Sequence, residues 1–302
     1  MSESRRSVLT AGPEVSVCIP VYRGEAFLAE TIRSVLSQTF EDFELVLLDN
    51  ASTDETPHIA RSFGDPRLRI ATNATTISQP DNWRRAVELC RAPLVKLVCA
   101  DDLLYPECLE RQVAALAADP GLALVAARRD MIDESGRALF RGRGLKGLVG
   151  ERSGVEVARR VVRSGANPIG EPGGVLFRRA DYEAVGGWRP ERQWAMDLDL
   201  WIRLLARGRF RGQAETLAAF RVGGQSLSAD NDVSIYGDQR AIVDQVSANP
   251  RLRVRPVDRA IGRLGAHSGR LRRLLLFALA ARTSRRTPQA VPPAPTVSSC
   301  GS

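Results

Sequence analysis

The sequence predicts an α/β fold on a mostly parallel central sheet, with a helical arm toward its C-terminal end. Short apolar runs alternate with segments of helical period, the rhythm of parallel βαβ units. The early runs stop on polar or acidic residues, and in open α/β sheets ligands bind at the carboxyl ends of the strands. No stretch approaches ~18 apolar residues, so no membrane-spanning helix is expected.

Val15–Pro20 (VSVCIP) reads as the first strand, closing on Pro20, Val21 and Tyr22 before the turn Arg23-Gly24. Ala26–Gln38 then sets Phe27, Leu28, Ile32, Val35 and Leu36 at helical spacing. Glu44–Leu48 (ELVLL) is a second strand ending at Asp49 and Asn50, followed by the turn-like ASTD. Asp54 can cap a weaker helix that runs to Phe63. Leu68–Ala71 reads as a third strand and Trp83–Cys90 as a third helix. Leu94–Cys99 is an apolar run that halts on two adjacent carboxylates, Asp101 and Asp102. Two acids on one rigid strand end repel each other unless a cation sits beside them. Hard oxygen ligands of this kind suit Mg²⁺ or Mn²⁺ shared with substrate phosphates. Alone, the pair is more often a solvated turn, and Asp49-Asn50 also fits an Asx-type turn. The convergence of Tyr22, Asp49, Asn50, Asp101 and Asp102 on strand ends makes a ligand site the better reading.

In the second half, residues 128–166 read as a mobile loop, with glycines at 142, 144 and 147, followed by a helix that covers the site. Asn167–Arg178 (NPIGEPGGVLFR) gives a glycine-rich turn and a short strand, and ADYEAVGGWRP follows as a helix-like segment. MDLDLWIRLLARG places Leu198, Trp201, Ile202 and Leu205 on one helical face. Asp197 opens that helix, where the helix dipole favours a carboxylate.

Residues 15–125 resemble the nucleotide-binding half of family-2 glycosyltransferases, inverting enzymes of the GT-A type, a Rossmann-like sandwich. The matching strings are VSVCIPVYRGEAFLAETIRSVLSQTFEDFELVLLDNASTDET and DNWRRAVELCRAPLVKLVCADDLLYP. The resemblance implies that Pro20, Val21 and Tyr22 border the nucleotide base, with the Tyr22 ring beside or stacked on it. Relatives often carry an acid at the Asn50 position. Asn50 can still accept a base N–H and donate to a base carbonyl, with Asp49 next to it. The DxD-like motif falls on Cys99, Asp101 and Asp102, with its first carboxylate missing. Asp102 is then the metal ligand for Mn²⁺ or Mg²⁺, Asp101 the contact to ribose or a metal-bound water, and Cys99 a small packed hydrophobe. Asp197 matches the catalytic base, ahead of Asp199. Gly186, Gly187 and Trp188 resemble an acceptor loop in which the aromatic lies against a sugar face; Trp188 reads equally as core. Some relatives add a histidine to the metal from a late loop. FRVGGQSLS has none, which leaves Arg221 as an alternative contact to the diphosphate.

The implied activity is metal-assisted inverting transfer from a nucleoside-diphosphate sugar to a hydroxyl acceptor: a glycan, a lipid-linked saccharide or a natural-product scaffold. A nucleotidyltransferase would want a glycine- and lysine-rich loop after its first strand, and IPVYRGEAF has no lysine. A nucleic-acid binder is suggested by the pI of 9.8. Yet residues 251–286 hold 11 Arg against one acid, a net of +10, and the remaining chain is −2. Acidic strand ends repel phosphate unless metal is present. Leu264, Leu271, Leu274, Leu275, Phe277 and Ala278 form one face among those arginines. That arm reads equally as an element lying on an anionic membrane and as a solvated or subunit-packing helix. The five cysteines show no CxxC spacing, which favours a reduced cytosolic setting. MSESRRSVLTAGPEV lacks the apolar core of a secretory leader. The expected organisation is a leader (1–14), a nucleotide-sugar half (15–127), an acceptor and base half of the same domain (128–250), a basic arm (251–286) and a disordered Pro-rich tail (287–302).

Overall fold

The computed structural model describes residues 12–192, 195–223 and 232–262. The expected Pro-rich tail and most of the leader and arm lie outside these residues.

Ten strands form one sheet in the order β3-β2-β1-β4-β9-β6-β10-β5, with β7 added to β6 and β8 to β10. The first four strands in that order are β1 (Val15–Val21), β2 (Phe43–Asp49), β3 (Leu68–Thr72) and β4 (Leu94–Leu97), all parallel. Every residue of β1 and β2 is buried, as expected of strands covered on both faces. One cover is α1 (Leu28–Leu36), which buries Leu28, Thr31, Ile32 and Val35 along one face. The others in this half are α2 (Thr56–Arg61), α3 (Gln79–Glu88) and α4 (Cys108–Ala118). The third helix begins at Gln79 rather than at Trp83, because Ser78 caps it by accepting the Asp81 N–H and Pro80 fits its first turn.

The sheet changes character at β9 (Val175–Arg178), which runs antiparallel to both β4 and β6 (Leu122–Ile132). The long β10 (Arg209–Arg221) lies parallel to β6, and the two-residue β5 (Leu103–Leu104) pairs antiparallel with β10. The parallel block thus carries residues 15–97, and the mixed block the strands that follow them.

The expected loop at 128–150 is instead strand. Residues through Ile132 continue β6, β7 (Ala138–Arg143) pairs back on it, and β8 (Gly150–Arg152) pairs with β10. Gly142, Gly144 and Gly147 have φ of 58, 93 and 74°. They permit left-handed turns at the hairpin's end, so they mark bends rather than mobility. The helix expected after them is α5 (Gly154–Ser164), fixed by a Ser153–Glu156 capping box and ended by Gly165. It packs against α8 (Asp232–Ala248).

Apolar clusters lie on both faces of the sheet. One centres on Val17, Ile19, Leu28, Ile32, Leu45 and Leu47. The other gathers Trp83, Phe177, Tyr182, Trp188 and Trp201, with α6 (Arg179–Ala184) and α7 (Met196–Leu204) beside it. The root of the basic arm joins this body. Leu252 sits in the second cluster, and Asp258 is fully buried against Arg163 of α5 at 2.5 Å. Among the described residues no helix is long and apolar enough to cross a membrane.

Candidate active site

The carboxyl ends of β1, β2 and β4 bring the candidate residues to one edge. Pro20 and Val21 end β1, and Tyr22 follows, 49% exposed with the Arg23 guanidinium 5.6 Å from its ring centre. The turn after β1 is laced to the turn after β2. Arg23 N–H donates to Ser52 Oγ, Gly24 N–H to Thr56 Oγ1 and Glu25 N–H to Asp54. Arg23 and Ala51 take positive φ of 52 and 56° there.

Asp49 Oδ1 accepts the Ser52 N–H at 3.1 Å, which is the Asx turn read from the sequence. Its other oxygen is buried without a hydrogen-bond partner. An orphaned buried carboxylate oxygen is costly and calls for a donor. Asn50 corrects the expectation of a free amide. Its oxygen already accepts from Asn73 Nδ2 at 2.7 Å and from Ile77 N at 3.0 Å, and its NH₂ donates to Ile77 O. Two acceptors filled and one donor spent leave it to hold the 73–77 loop, not to read a base through its oxygen.

Asp102 is buried and Asp101 partly so, and with Cys99 they place their ligand atoms within 4.8 Å of one another. Burial raises both carboxyls above their ordinary range, and for Asp102 the neighbouring Asp101 adds to it. Burial likewise pushes the Cys99 thiol up, so the sulfur is a neutral packing group.

Arg221, at the end of β10, is 1% exposed, with its guanidinium turned onto acceptors within the protein. Its N–H donates to Asp102 Oδ1, its Nε to Asp101 O, and its terminal nitrogens to Asp133 O, Glu134 O and Glu30. Its guanidinium also lies 4.3 Å from the Phe27 ring centre. The residue ties α1, the acidic strand end and the β6–β7 turn together. Arg221→Met should destabilise the fold by about 3 kcal/mol, since it strands buried acceptors and a carboxylate. A lowered urea midpoint measures it, and a midpoint within error of wild type would remove that structural role.

Asp197 sits in the first turn of α7. Its Oδ2 accepts from Asn167 Nδ2 at 2.7 Å and its Oδ1 from Leu198 N at 2.7 Å. Burial raises its pKa to about 7, helped by the nearby Glu171 charge; the Leu198 and Asn167 donors and Arg129 oppose the rise. Asp199, two residues on, is turned inward and paired with Arg203 at 2.7 Å. The Glu171 charge raises the carboxyls of both Asp102 and Asp197. It pairs with Arg129, and both line a small recess with Asp102 and Phe220.

Trp188 belongs to the core rather than to an open acceptor face. It is 1% exposed, with ring centres 5.1 Å from Trp83 and 5.8 Å from Trp201. Gly187 is buried at φ 62°, and any Cβ there would strike the Tyr182 ring. That position needs a glycine for its backbone geometry and for the room it leaves the ring.

Several residues were missed from the sequence. Arg129 lay in the segment read as loop, and Asn167 and Glu171 in a turn noted only for its glycines. Lys96 is fully buried in β4, where its Nζ donates to Gly173 O and Val175 O, both at 2.9 Å. Gln112 donates to Gly174 O at 2.8 Å. Three successive carbonyls beside Glu171 are therefore held by side chains from the first half. The usable signals were a lone lysine in an otherwise apolar strand and an acid inside a glycine turn.

Comparison with known proteins agrees with this geometry. The family model described as Glycosyl transferase family 2 matches residues 16–186. An uncharacterized Mycobacterium tuberculosis protein, MT1568, is 32% identical over 210 residues, 67% of this chain and 65% of that protein. The putative glycosyltransferase EpsE of Bacillus subtilis is 29% identical over 245 residues, 76% of this chain and 82% of EpsE. Among solved structures, the mannosyltransferase PcManGT of Pyrobaculum calidifontis, in complex with GDP-Man and Mn²⁺, superposes with a TM-score of 0.58. That likeness covers 93% of this chain and 77% of PcManGT at 18% identity, which speaks to a GT-A fold. The family match takes in more than half of the chain, and the chain belongs to glycosyl transferase family 2.

Proposed function

We propose that the chain is an inverting glycosyltransferase that moves a sugar from a nucleoside-diphosphate sugar onto a hydroxyl acceptor with help from a divalent cation. The observation that carries the reading is the combination of a strand-end acid cluster, Asp101 and Asp102, with a raised carboxyl, Asp197, both of which feel the Glu171 charge. Asp49, with its orphaned oxygen, and the exposed Tyr22 ring are the donor-side contacts. Pro20 and Val21 border them, and PcManGT, described with GDP-Man and Mn²⁺, supports the donor class and the metal by likeness of fold.

Two carboxylates, Asp102 buried and Asp101 partly so, that burial drives toward neutrality fit a hard cation: they are oxygen ligands whose mutual repulsion a 2+ charge relieves. Asp102 would hold Mn²⁺ or Mg²⁺ with Asp101 beside it, and the ion would supply charge stabilisation to the leaving diphosphate. The protein's own step is proton transfer. As the acceptor oxygen bonds to the anomeric carbon, its O–H bond breaks and Asp197 takes the proton, while the sugar–phosphate bonding pair leaves with the diphosphate. A carboxyl near neutrality is well matched to that task. The test is a panel of UDP-, dTDP- and GDP-sugars with and without Mn²⁺, read by released nucleoside diphosphate and by thermal shift. Metal-dependent stabilisation by one base family is expected; no response to any donor would overturn the reading.

We propose further that the acceptor is carried on a lipid, in cell-envelope polysaccharide synthesis at the inner face of the membrane. What supports this is charge. Residues 263–286 hold seven Arg and no acid, with Leu and Phe between them. Residues 251–262 are anchored on α5 through Asp258, and Gly262 packs against the Val162 carbonyl. A chain ending after Gly262 should therefore keep donor turnover and lose salt-sensitive binding to anionic vesicles, at ~1 kcal/mol per basic residue near the surface. Equal vesicle binding by the shortened chain would remove the membrane proposal.

A further inference from the structure

We infer that Asn167 is a positioning residue for the transfer: clamped in its own turn, it holds the Asp197 carboxylate in the charged, proton-accepting form. The inference rests on the reading of Asp197 as base, and deepens it.

The amide has one possible orientation. Its oxygen accepts the Ile169 N–H at 3.1 Å and the Gly170 N–H at 3.0 Å, so its nitrogen must be the atom that faces α7. That NH₂ donates to Gly170 O at 3.1 Å and to Asp197 Oδ2 at 2.7 Å. Two acceptor sites and two donor hydrogens are all in use. The turn is bolted a second time, because the buried Trp201 indole donates to Gly170 O at 3.0 Å. Asn167 therefore cannot rotate to accept from Asp197. It can only donate, and a proton on the lone pair it occupies would meet its N–H head on.

The other groups around Asp197 pull in both directions. Glu171, in the turn before β9, favours the neutral acid; Arg129 of β6, threaded between Gly144 and Gly170 and paired with Glu171, favours the anion. Cys99, beyond β4, is a neutral thiol. The Leu198 N–H also favours the anion but belongs to the helix itself. Asn167 is thus the contacting donor that comes from outside α7. The acceptor's proton is directed to a lone pair that Asn167 leaves open.

Asn167→Asp is the informative variant. A carboxylate still accepts the Ile169 and Gly170 N–H groups and keeps the turn, but it replaces the donor to Asp197 with a like charge. The Asp197 titration midpoint, followed by ¹³C NMR of labelled aspartate and assigned by its absence in Asp197→Asn, should rise by about one unit or more. The acid limb of kcat/KM should move with it, giving about a tenfold loss near pH 6 that recovers at high pH, with donor KM unchanged. Asn167→Ala, a second route should the first fail to fold, should shift both in the same direction by less. Glu171→Gln should shift the midpoint downward. An unmoved Asp197 midpoint in the Asn167 variants, or a loss of rate equal at every pH, would overturn the inference. Full turnover by Asp197→Asn, with the Asn167-dependent midpoint shift intact, would instead remove the base reading and leave the electrostatic role standing.

Discussion

Asp102→Asn is expected to abolish sugar transfer and the Mn²⁺ dependence of donor binding while leaving the fold in place. The fold survives because the one hydrogen bond that Asp102 Oδ1 makes, from Arg221 N at 3.1 Å, can be accepted equally by an asparagine oxygen. Function does not survive, because the variant removes the buried negative charge that would hold a cation at the end of β4. Removing a buried charge that burial itself opposes should also leave the metal-free protein no less stable. Calorimetric titration of a nucleoside diphosphate with and without Mn²⁺, alongside urea unfolding, separates these outcomes. Full activity in the variant with chelator present would dismiss the metal role.

Asp197→Asn should lower turnover by ~10²-fold or more with little change in donor affinity, since it deletes a proton acceptor and no donor contact. The same substitution carries an opposite signature in stability. The folded-state pKa of Asp197 is raised to about 7, above the ordinary aspartate value of about 4. Between those values the native state holds a proton that the unfolded chain releases, so this group's contribution to stability falls as pH rises through that window. Asparagine does not ionise. The variant should therefore melt above wild type near pH 8, and the gap should close toward pH 4. A variant that is inactive and also less stable at alkaline pH would point to lost packing instead. Asp199→Asn should behave differently again: it breaks the pair with Arg203 and costs stability without exposing a base.

The parallel half of the fold was legible in the sequence because its signals are local. Buried strands read as unbroken apolar runs, and the acids at their ends stand out against them; β1, β2 and the Asp101-Asp102 step fall within a residue or two of expectation. Resemblance to the family pointed to Asp197, which stands as the proposed base. What was not legible depends on contacts distant in sequence. Arg129 and Glu171 meet across 42 residues, and Asn167 reaches Asp197 across 30. Neither pairing leaves a periodic trace. Glycine misled for a similar reason: in composition it looks like flexibility, whereas Gly142, Gly144 and Gly147 supply positive φ in an ordered hairpin. Trp188 and Asn50 were read for their chemistry, and their neighbours had already used it. An aromatic cluster covers the Trp188 ring, and the 73–77 loop occupies the Asn50 oxygen.

The grip of Lys96 and Gln112 on the carbonyls of residues 173–175 bears on how such proteins exchange parts. The segment leading into β9 draws its polar satisfaction from side chains encoded some sixty to eighty residues earlier, in β4 and α4. Grafted onto a host lacking that lysine and glutamine, it would bury three unmet carbonyls at about 1–3 kcal/mol each. A crossover between the halves would thus be penalised even when both parents share the fold. The seam between these two segments is one that recombination can cross only if residues 96 and 112 are inherited together with the turn they hold.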